Sequence, residues 1–326
     1  MAHSAILPPE IIHQILQHLD GNVYNLRVAA LISHAWCGPS QSLLHSSINL
    51  DSEAKIEQLT KKYALYPHLR AYCNYVFLDG YRMISFSEGM LLFEKTVMAD
   101  GFEKLIQSLG EKTESGDIGG IKGLSIDSYQ GWDEEMSRRI SVNFPSLETL
   151  EIARMESDCD MPGTLGRLLS GMNKLTSLAL DHVFPTRGRG TYPPEPQRAP
   201  IRLTHLTVSP ANPTAPSDIF PFLMSPMFDH SRLRSLKIGW LYSLARRGPA
   251  NPLLQSFREF ISIIGPQITR LTIATPLRYT GADEARNMNL SDALGDLLSI
   301  RLLNYFPSVK QLTLYFPSPF ITPIAF

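Results

Sequence analysis

A short pattern of apolar positions recurs along the chain from about residue 120 onward. Each copy reads apolar-x-x-apolar-x-apolar, where x is any residue. The seven copies begin at Ile121, Leu147, Leu175, Leu203, Leu233, Ile268 and Val309. Their central residues are separated by 26, 28, 28, 30, 35 and 41 positions. Alternating apolar positions predict strands, and self-similarity at such intervals favours a repeat array over a single globular core.

Helical periodicity separates several of these predicted strands. It occurs in segments 134–140, 165–169, 257–264 and 290–305. Bends such as Phe144-Pro145-Ser146 precede the strands and would end each helix. A strand at 75–78 with a helix at 102–109 would form a further, degenerate unit. The pattern predicts an α/β fold, an irregular solenoid of parallel strands alternating with helices.

The first fifty residues have a helical pattern instead. Leu7-Pro8-Pro9-Glu10 begins a helix that reaches Leu19, a second helix covers 25–36, and Gly38-Pro39 breaks the chain before a third. These helices carry more large apolar side chains than a unit of this size can bury. We therefore expect either a partner protein or the later part of the chain to cover them.

The first fifty residues resemble the F-box family. Leu7, Pro8, Glu10, Ile11, Ile15, Leu16, Leu19, Ala29, Leu31, Ile32 and Trp36 occupy its Leu-Pro-x-Glu-Ile, helical and Trp positions, whereas Ser33-His34 departs from the Cys-basic pair that is common there. The resemblance implies docking on a Skp-type adaptor, which joins a cullin and a RING protein in a ubiquitin ligase. The implied adaptor contacts are Leu7, Pro8, Ile12, Leu16, Ile32 and Trp36. The alternative is a helical cap that packs entirely on the following domain.

The repeats resemble the divergent leucine-rich repeats that follow the box in many F-box proteins. This implies an F-box at 1–50, a helical linker at 51–68 and a leucine-rich-repeat-like solenoid at 69–326 that recruits a protein substrate. An ordinary doubly wound α/β domain would place strands similarly, but Gly-rich phosphate loops are absent between strands and helices. The spacer positions within the strands would point to one polar face. Candidate substrate contacts there are Thr149, Glu151, His205, Lys237, Arg270 and Gln311; a simple solvated face is the alternative.

Composition narrows the function classes. The formal net charge of -1 provides no overall attraction to nucleic acid or to anionic lipid, so we expect neither as a partner. No apolar run is long enough to span a bilayer, and the amino terminus lacks the basic segment of a secretory signal. Three cysteines without a close pair favour a reduced compartment, the cytoplasm or nucleus.

The sequence shows no common catalytic motif. His13 and His18 are five residues apart, unlike zinc-protease histidines, and are expected on the surface. Asp158 and Asp160 lack calcium-loop spacing, and the basic, Pro-rich loop 184–196 is most simply an insertion. We expect no cofactor, no metal and no catalysis by this chain. The main hypothesis is a non-catalytic substrate receptor of a ubiquitin ligase; a scaffold uncoupled from ubiquitination and an α/β enzyme are the alternatives.

Overall fold

The computed structural model describes residues 7–19, 22–79, 81–87, 90–95, 109, 120–127, 134–153, 156–157, 161–181, 183–185, 200–209, 219–239, 252–274 and 301–315. The chain divides into two compact units, Met1–Asp127 and Ser128–Phe326. The predicted domain boundaries at residues 50 and 68 both lie inside the first unit.

The first unit begins with helices and continues into strands. Its elements are α1 (Pro9–Gln17), α2 (Val23–Ile32), α3 (His34–Ser46), β1 (Ser47–Leu50), α4 (Glu53–Leu65), a 3-10 helix (Pro67–Tyr72), β2 (Tyr75–Asp79), β3 (Tyr81–Ser87), β4 (Met90–Lys95) and β5 (Gly123–Asp127). Strands β1, β2 and β5 pair in parallel in that order, and β3 pairs antiparallel with β4. The predicted strand at 75–78 is confirmed, whereas β1 and the β3–β4 hairpin were not predicted. The predicted helix at 102–109 lies outside the described residues except for Leu109.

Local sequence explains where these helices begin. Pro8 precedes α1, Pro9 occupies its first turn and Glu10 places a carboxylate at its amino end, as the sequence predicts. The side chain of Asn22 caps α2 by accepting the Asn25 backbone N–H at 3.0 Å. The side chain of Ser52 caps α4 in the same way.

The predicted break at Gly38-Pro39 is wrong. The chain breaks at Ser33, whose backbone is fully extended, and α3 continues through Pro39. Pro39 lacks the N–H that would bond the Ala35 carbonyl, so the helix loses one hydrogen bond there. Packing of α3 against both α1 and α2 maintains the helix despite that loss. Trp36 consequently lies in the first turn of α3 and not at the end of the second helix.

The second unit alternates strands with helices. Its elements are α5 (Glu134–Asn143), β6 (Thr149–Ala153), β7 (Glu156–Ser157), α6 (Met161–Ser170), β8 (Ser177–Asp181), β9 (Phe184–Pro185), β10 (His205–Ser209), α7 (Phe220–Leu223), β11 (Ser235–Gly239), α8 (Pro252–Ile264), β12 (Arg270–Ala274) and β13 (Gln311–Tyr315). Strands β6, β8, β10, β11, β12 and β13 pair in parallel in that order. Strands β7 and β9 form a separate short pair. The predicted α/β class, with parallel strands alternating with helices, is confirmed.

The parallel strands keep one register across the second unit. The central residue of each predicted triplet lies opposite the next, giving the row Leu150, Leu178, Leu206, Leu236, Leu271 and Leu312. All but Leu312 are buried. Six of the seven predicted strands belong to this set, and the seventh is β5. Cys73, buried ahead of β2, fills the position that leucine or isoleucine occupies in the later copies.

Helices supply the other side of this core. Three predicted helices are confirmed as α5, α6 and α8, and their apolar residues are buried. The short α7 was not predicted. The predicted helix at 290–305 is described only in its last part, where Leu302–Tyr305 forms a 3-10 helix.

A threonine before a strand ties neighbouring units together. The Thr176 backbone N–H and hydroxyl both donate to the Glu148 carbonyl, at 2.9 and 3.2 Å. Thr204 bonds the Thr176 carbonyl in the same way, and Thr269 bonds the Arg234 carbonyl. Each hydroxyl therefore reinforces the backbone ladder at the amino-terminal edge of the strands.

Candidate protein-interaction surfaces

Helix α2 is apolar on the side that faces solvent as well as on the side that faces the core. Leu26 and Ala29 are buried, while Leu31 and Tyr24, at 85% and 74% exposure, lie on the opposite side of the helix. Arg27 is the single charged residue of the helix. We give the name α2 surface to the exposed residues Val23, Tyr24, Arg27, Val28, Leu31 and Ile32.

Helix α4, in the same unit, shows what an ordinary surface helix looks like. It buries Ile56, Leu59 and Tyr63, and its exposed residues are mostly Lys, Glu and Gln. A helix that is apolar on all sides normally has protein on all sides, and contiguous exposed apolar area marks interaction sites. The α2 surface therefore has the composition of an interface.

The predicted adaptor residues fall into two groups. Leu7, Pro8 and Ile32 are exposed, in agreement with a contact role. Trp36 is half-buried and packs against the helical core. Ile12 and Leu16 are 2% and 0% exposed. They form that core together with Leu26 and Ala29, so they cannot belong to an exposed surface, and their prediction as contacts is wrong.

Sequence reasoning missed the most exposed members of the α2 surface as contacts. Tyr24, Val28 and Leu31 belong to a helix in which nine of ten positions are uncharged, a signal visible in the sequence. Periodicity alone does not reveal it, because a helix without a polar stripe does not identify which of its sides faces the core. His13 and His18 are exposed, as expected.

A group of cations borders this part of the unit. The Lys62 ammonium donates a hydrogen bond to His45 Nε2 at 3.1 Å. Burial, aided by Lys62 and His68, lowers the pKa of His45 to about 4, so the imidazole is neutral at pH 7. Burial lowers the pKa of Lys62 as well, and repulsion from the nearby Arg27 adds to that effect. A partner carboxylate near Arg27 would relieve this repulsion.

The strands of the second unit present the predicted polar face. Thr149, Ser177, His205, Ser235, Arg270 and Gln311 form one row across the six strands. A second row contains Glu151, Ala179, Thr207, Lys237, Thr272 and Thr313. All of these residues are at least partly accessible. The structure therefore places all six predicted substrate residues on one side of the strands.

His205 and Arg270 are joined across the intervening strand β11. The Arg270 guanidinium donates to His205 Nε2 at 2.9 Å, passing over the small Ser235. Nδ1 of His205 then carries its proton toward Thr204 Oγ1 at 2.7 Å, and Thr204 donates to the Thr176 carbonyl. Burial and the Arg270 charge lower the pKa of His205, which keeps the imidazole an acceptor. This chain of hydrogen bonds fixes the position of the Arg270 guanidinium on the face.

An open groove of about 550 Å³ lies beside the same strands at their amino-terminal edge. Its lining residues are Arg234, Pro266, Gln267, Thr269, Pro307, Ser308, Val309 and Lys310. The Arg234 guanidinium donates to the Ser231 and Leu233 carbonyls, both at 2.9 Å. The groove is polar and basic at its margins and contains no carboxylate among these residues.

Chemistry of other kinds has few candidates in the described part of the chain. There, no group of three or more His, Cys, Asp or Glu side chains is placed to hold a metal ion. No helix within the described ranges has both the length and the apolar character needed to cross a membrane. Asp158, Asp160 and residues 186–196 of the basic loop lie outside those ranges.

No protein-family model matches the chain, and no curated protein matches it either.

Proposed function

We propose that this protein is the substrate-recognition subunit of a ubiquitin ligase of the Skp–cullin–F-box type. The helical part of the first unit binds a Skp-type adaptor and, through it, the cullin and RING subunits. The strands of the second unit hold a protein substrate on their polar face. The chain itself contributes binding and positioning, and other subunits carry out ubiquitin transfer.

The observation that carries this proposal is the α2 surface. It lies within the fifty residues that resemble an F-box, and its apolar side chains stay exposed in the folded chain. Burial of a large apolar side chain contributes about 1.5–3 kcal/mol. Several such side chains on one short helix therefore supply enough free energy for a stable complex, while Arg27 adds a charge that can select the partner.

Direct titration of the purified full chain with a purified Skp-type adaptor tests the first half of the proposal. We expect saturable binding that Leu31→Glu abolishes, because a carboxylate at the centre of the α2 surface would be buried unpaired. Val142→Glu is the matched control, since Val142 is 63% exposed on α5 of the second unit. Absence of wild-type binding, or equal loss in both variants, contradicts the assignment.

Reconstitution tests the second half. With adaptor, cullin and RING subunits present, a protein that copurifies with the chain should become ubiquitinated, and the reaction should fail with Leu31→Glu. A captured protein that stays unmodified with an intact complex would identify the chain as a scaffold.

A further inference from the structure

Charge is segregated along the strands of the second unit, where a strand segment means the strand together with the residue immediately before it. The segments of β6 and β8 carry Glu148, Glu151 and Asp181 and no Lys or Arg. The segments of β11, β12 and β13 carry Arg234, Lys237, Arg270 and Lys310 and no Asp or Glu, and the β10 segment between them has no formal charge. Pairing order alone brings these four cations onto three adjacent strands.

The four cations, which we call the basic cluster, are available for a ligand. In the described part of the chain, none of them forms an ion pair. Arg234 and Arg270 are held by hydrogen bonds to carbonyls and to His205, which orients their guanidinium groups without neutralising them. Lys237 and Lys310 are exposed. Arg234 and Lys310 also line the open groove, so two independent features of the surface coincide.

Size and chemistry favour a peptide as the ligand. Neighbouring strands are about 4.8 Å apart, so the cluster spans roughly 10 Å, the length of about three extended residues. A long polyanion would continue onto Glu148, Glu151 and Asp181, which would repel it. The outward positions of β10, β11 and β12 carry no aromatic side chain for base stacking, which single-stranded nucleic acid binding usually uses. Carboxylates in a short segment fit both the extent and the sign of the cluster.

We propose that the basic cluster binds an acidic, extended segment of the target protein. This inference rests on the proposed function, since it names the substrate class for the polar face. Arg234 and Arg270 offer oriented N–H donors for carboxylates, and Lys237 and Lys310 add charge on either side. The acidic segments of β6 and β8 set the direction of binding, because they favour a target whose basic residues follow on that side.

Fluorescence anisotropy with the full chain tests this inference. The probe is a short labelled peptide in which glutamate alternates with serine, compared with the same peptide containing glutamine and with an oligouridine of similar length. We expect saturable binding of the acidic probe only, weakening as salt is raised because the contacts lie at the surface. Tighter binding of oligouridine, or equal binding of the glutamine peptide, overturns the proposal.

Charge variants locate the site. Lys237→Glu combined with Arg270→Glu should weaken binding of the acidic probe by about tenfold or more. Lys174→Glu combined with Arg258→Glu is the matched control with the same change in net charge, and it should bind normally. Lys237→Gln combined with Lys310→Gln leaves both hydrogen-bonded arginines in place and should also weaken binding. Equal affinity across all variants overturns the proposal.

Adaptor titration of the same preparations separates the two proposals. Loss of the acidic probe with normal adaptor binding identifies a fault in this inference alone. Normal probe binding without adaptor binding contradicts the proposed function and leaves the acidic-segment site in place.

Discussion

Two leucines of the helical part of the first unit should respond to truncation in opposite ways. Leu16 is fully buried in α1, whereas Leu31 is 85% exposed in α2. Truncation of a buried leucine to alanine destabilises a protein by about 2–5 kcal/mol, because it removes apolar contacts and leaves a cavity. We therefore expect Leu16→Ala to lower the free energy of unfolding by that amount, and Leu31→Ala to change it by less than about 0.5 kcal/mol.

Adaptor binding should show the reverse. Nearly all of the Leu31 side chain is available for burial in a complex, and that burial is worth about 1.5–3 kcal/mol. Leu31→Ala should therefore weaken the adaptor affinity by about ten- to a hundredfold, since each 1.4 kcal/mol corresponds to a factor of about ten. Leu16→Ala should bind normally per folded molecule, because its side chain does not reach the surface.

Urea denaturation gives the stabilities, and calorimetric titration at a temperature where both variants are folded gives the affinities. The reasoning is refuted if Leu31→Ala destabilises the chain as much as Leu16→Ala does. It is equally refuted if Leu16→Ala loses affinity without losing stability, which would return Leu16 to the adaptor contacts.

Three further predictions concern stability. His45 has a lowered pKa in the folded chain, so the unfolded chain binds more protons between pH 6.5 and 4; stability should be complete above pH 6.5 and fall toward pH 4 by about 1 kcal/mol, after allowance for a half-buried ring, and His45→Gln should remove this slope in urea melts at several pH values. Thr204→Val should cost about 0.5–1.5 kcal/mol in the same assay, because it removes the hydroxyl bond to the Thr176 carbonyl, whereas Ser170→Ala on the exposed end of α6 should cost less. Gly265→Ala should destabilise the second unit by about 1–3 kcal/mol through overpacking, since its new methyl group would collide with the Tyr305 backbone carbonyl; a melting temperature equal to that of the wild type would contradict this close approach.

The repeating strands could be predicted from the sequence because their signal is local. Burial of alternate residues leaves an apolar pattern within six positions, and the seven predicted strands occur where that pattern placed them. Strand β1 escaped prediction because Ile48 and Leu50 are its only apolar residues and it follows α3 directly. The position of Pro39 misled the helix prediction, since a proline inside a packed helix looks like a break in the sequence.

The candidate surfaces depended on information that is not local. Taken in chain order, the residues of the predicted polar face form a mixed strip without a dominant charge. Pairing of the strands places Lys237 beside Thr272 and Arg270 beside Gln311, and the separation of positive from negative strands then becomes visible. Likewise, the burial of Ile12 and Leu16 and the exposure of Leu31 follow from which sides of α1 and α2 pack together, which helical spacing leaves open.

The threonine ladder allows the connections between strands to vary in length. Because the backbone N–H and hydroxyl of Thr204 and Thr269 both bond one carbonyl of the preceding unit, strand alignment is determined at the start of each strand. The chain between two strands can then lengthen, from 28 to 41 residues per unit in this protein, while the leucine row stays in line. Insertions in these connections therefore offer places where binding specificity can change, or where a reporter sequence can be inserted, while strand pairing is retained.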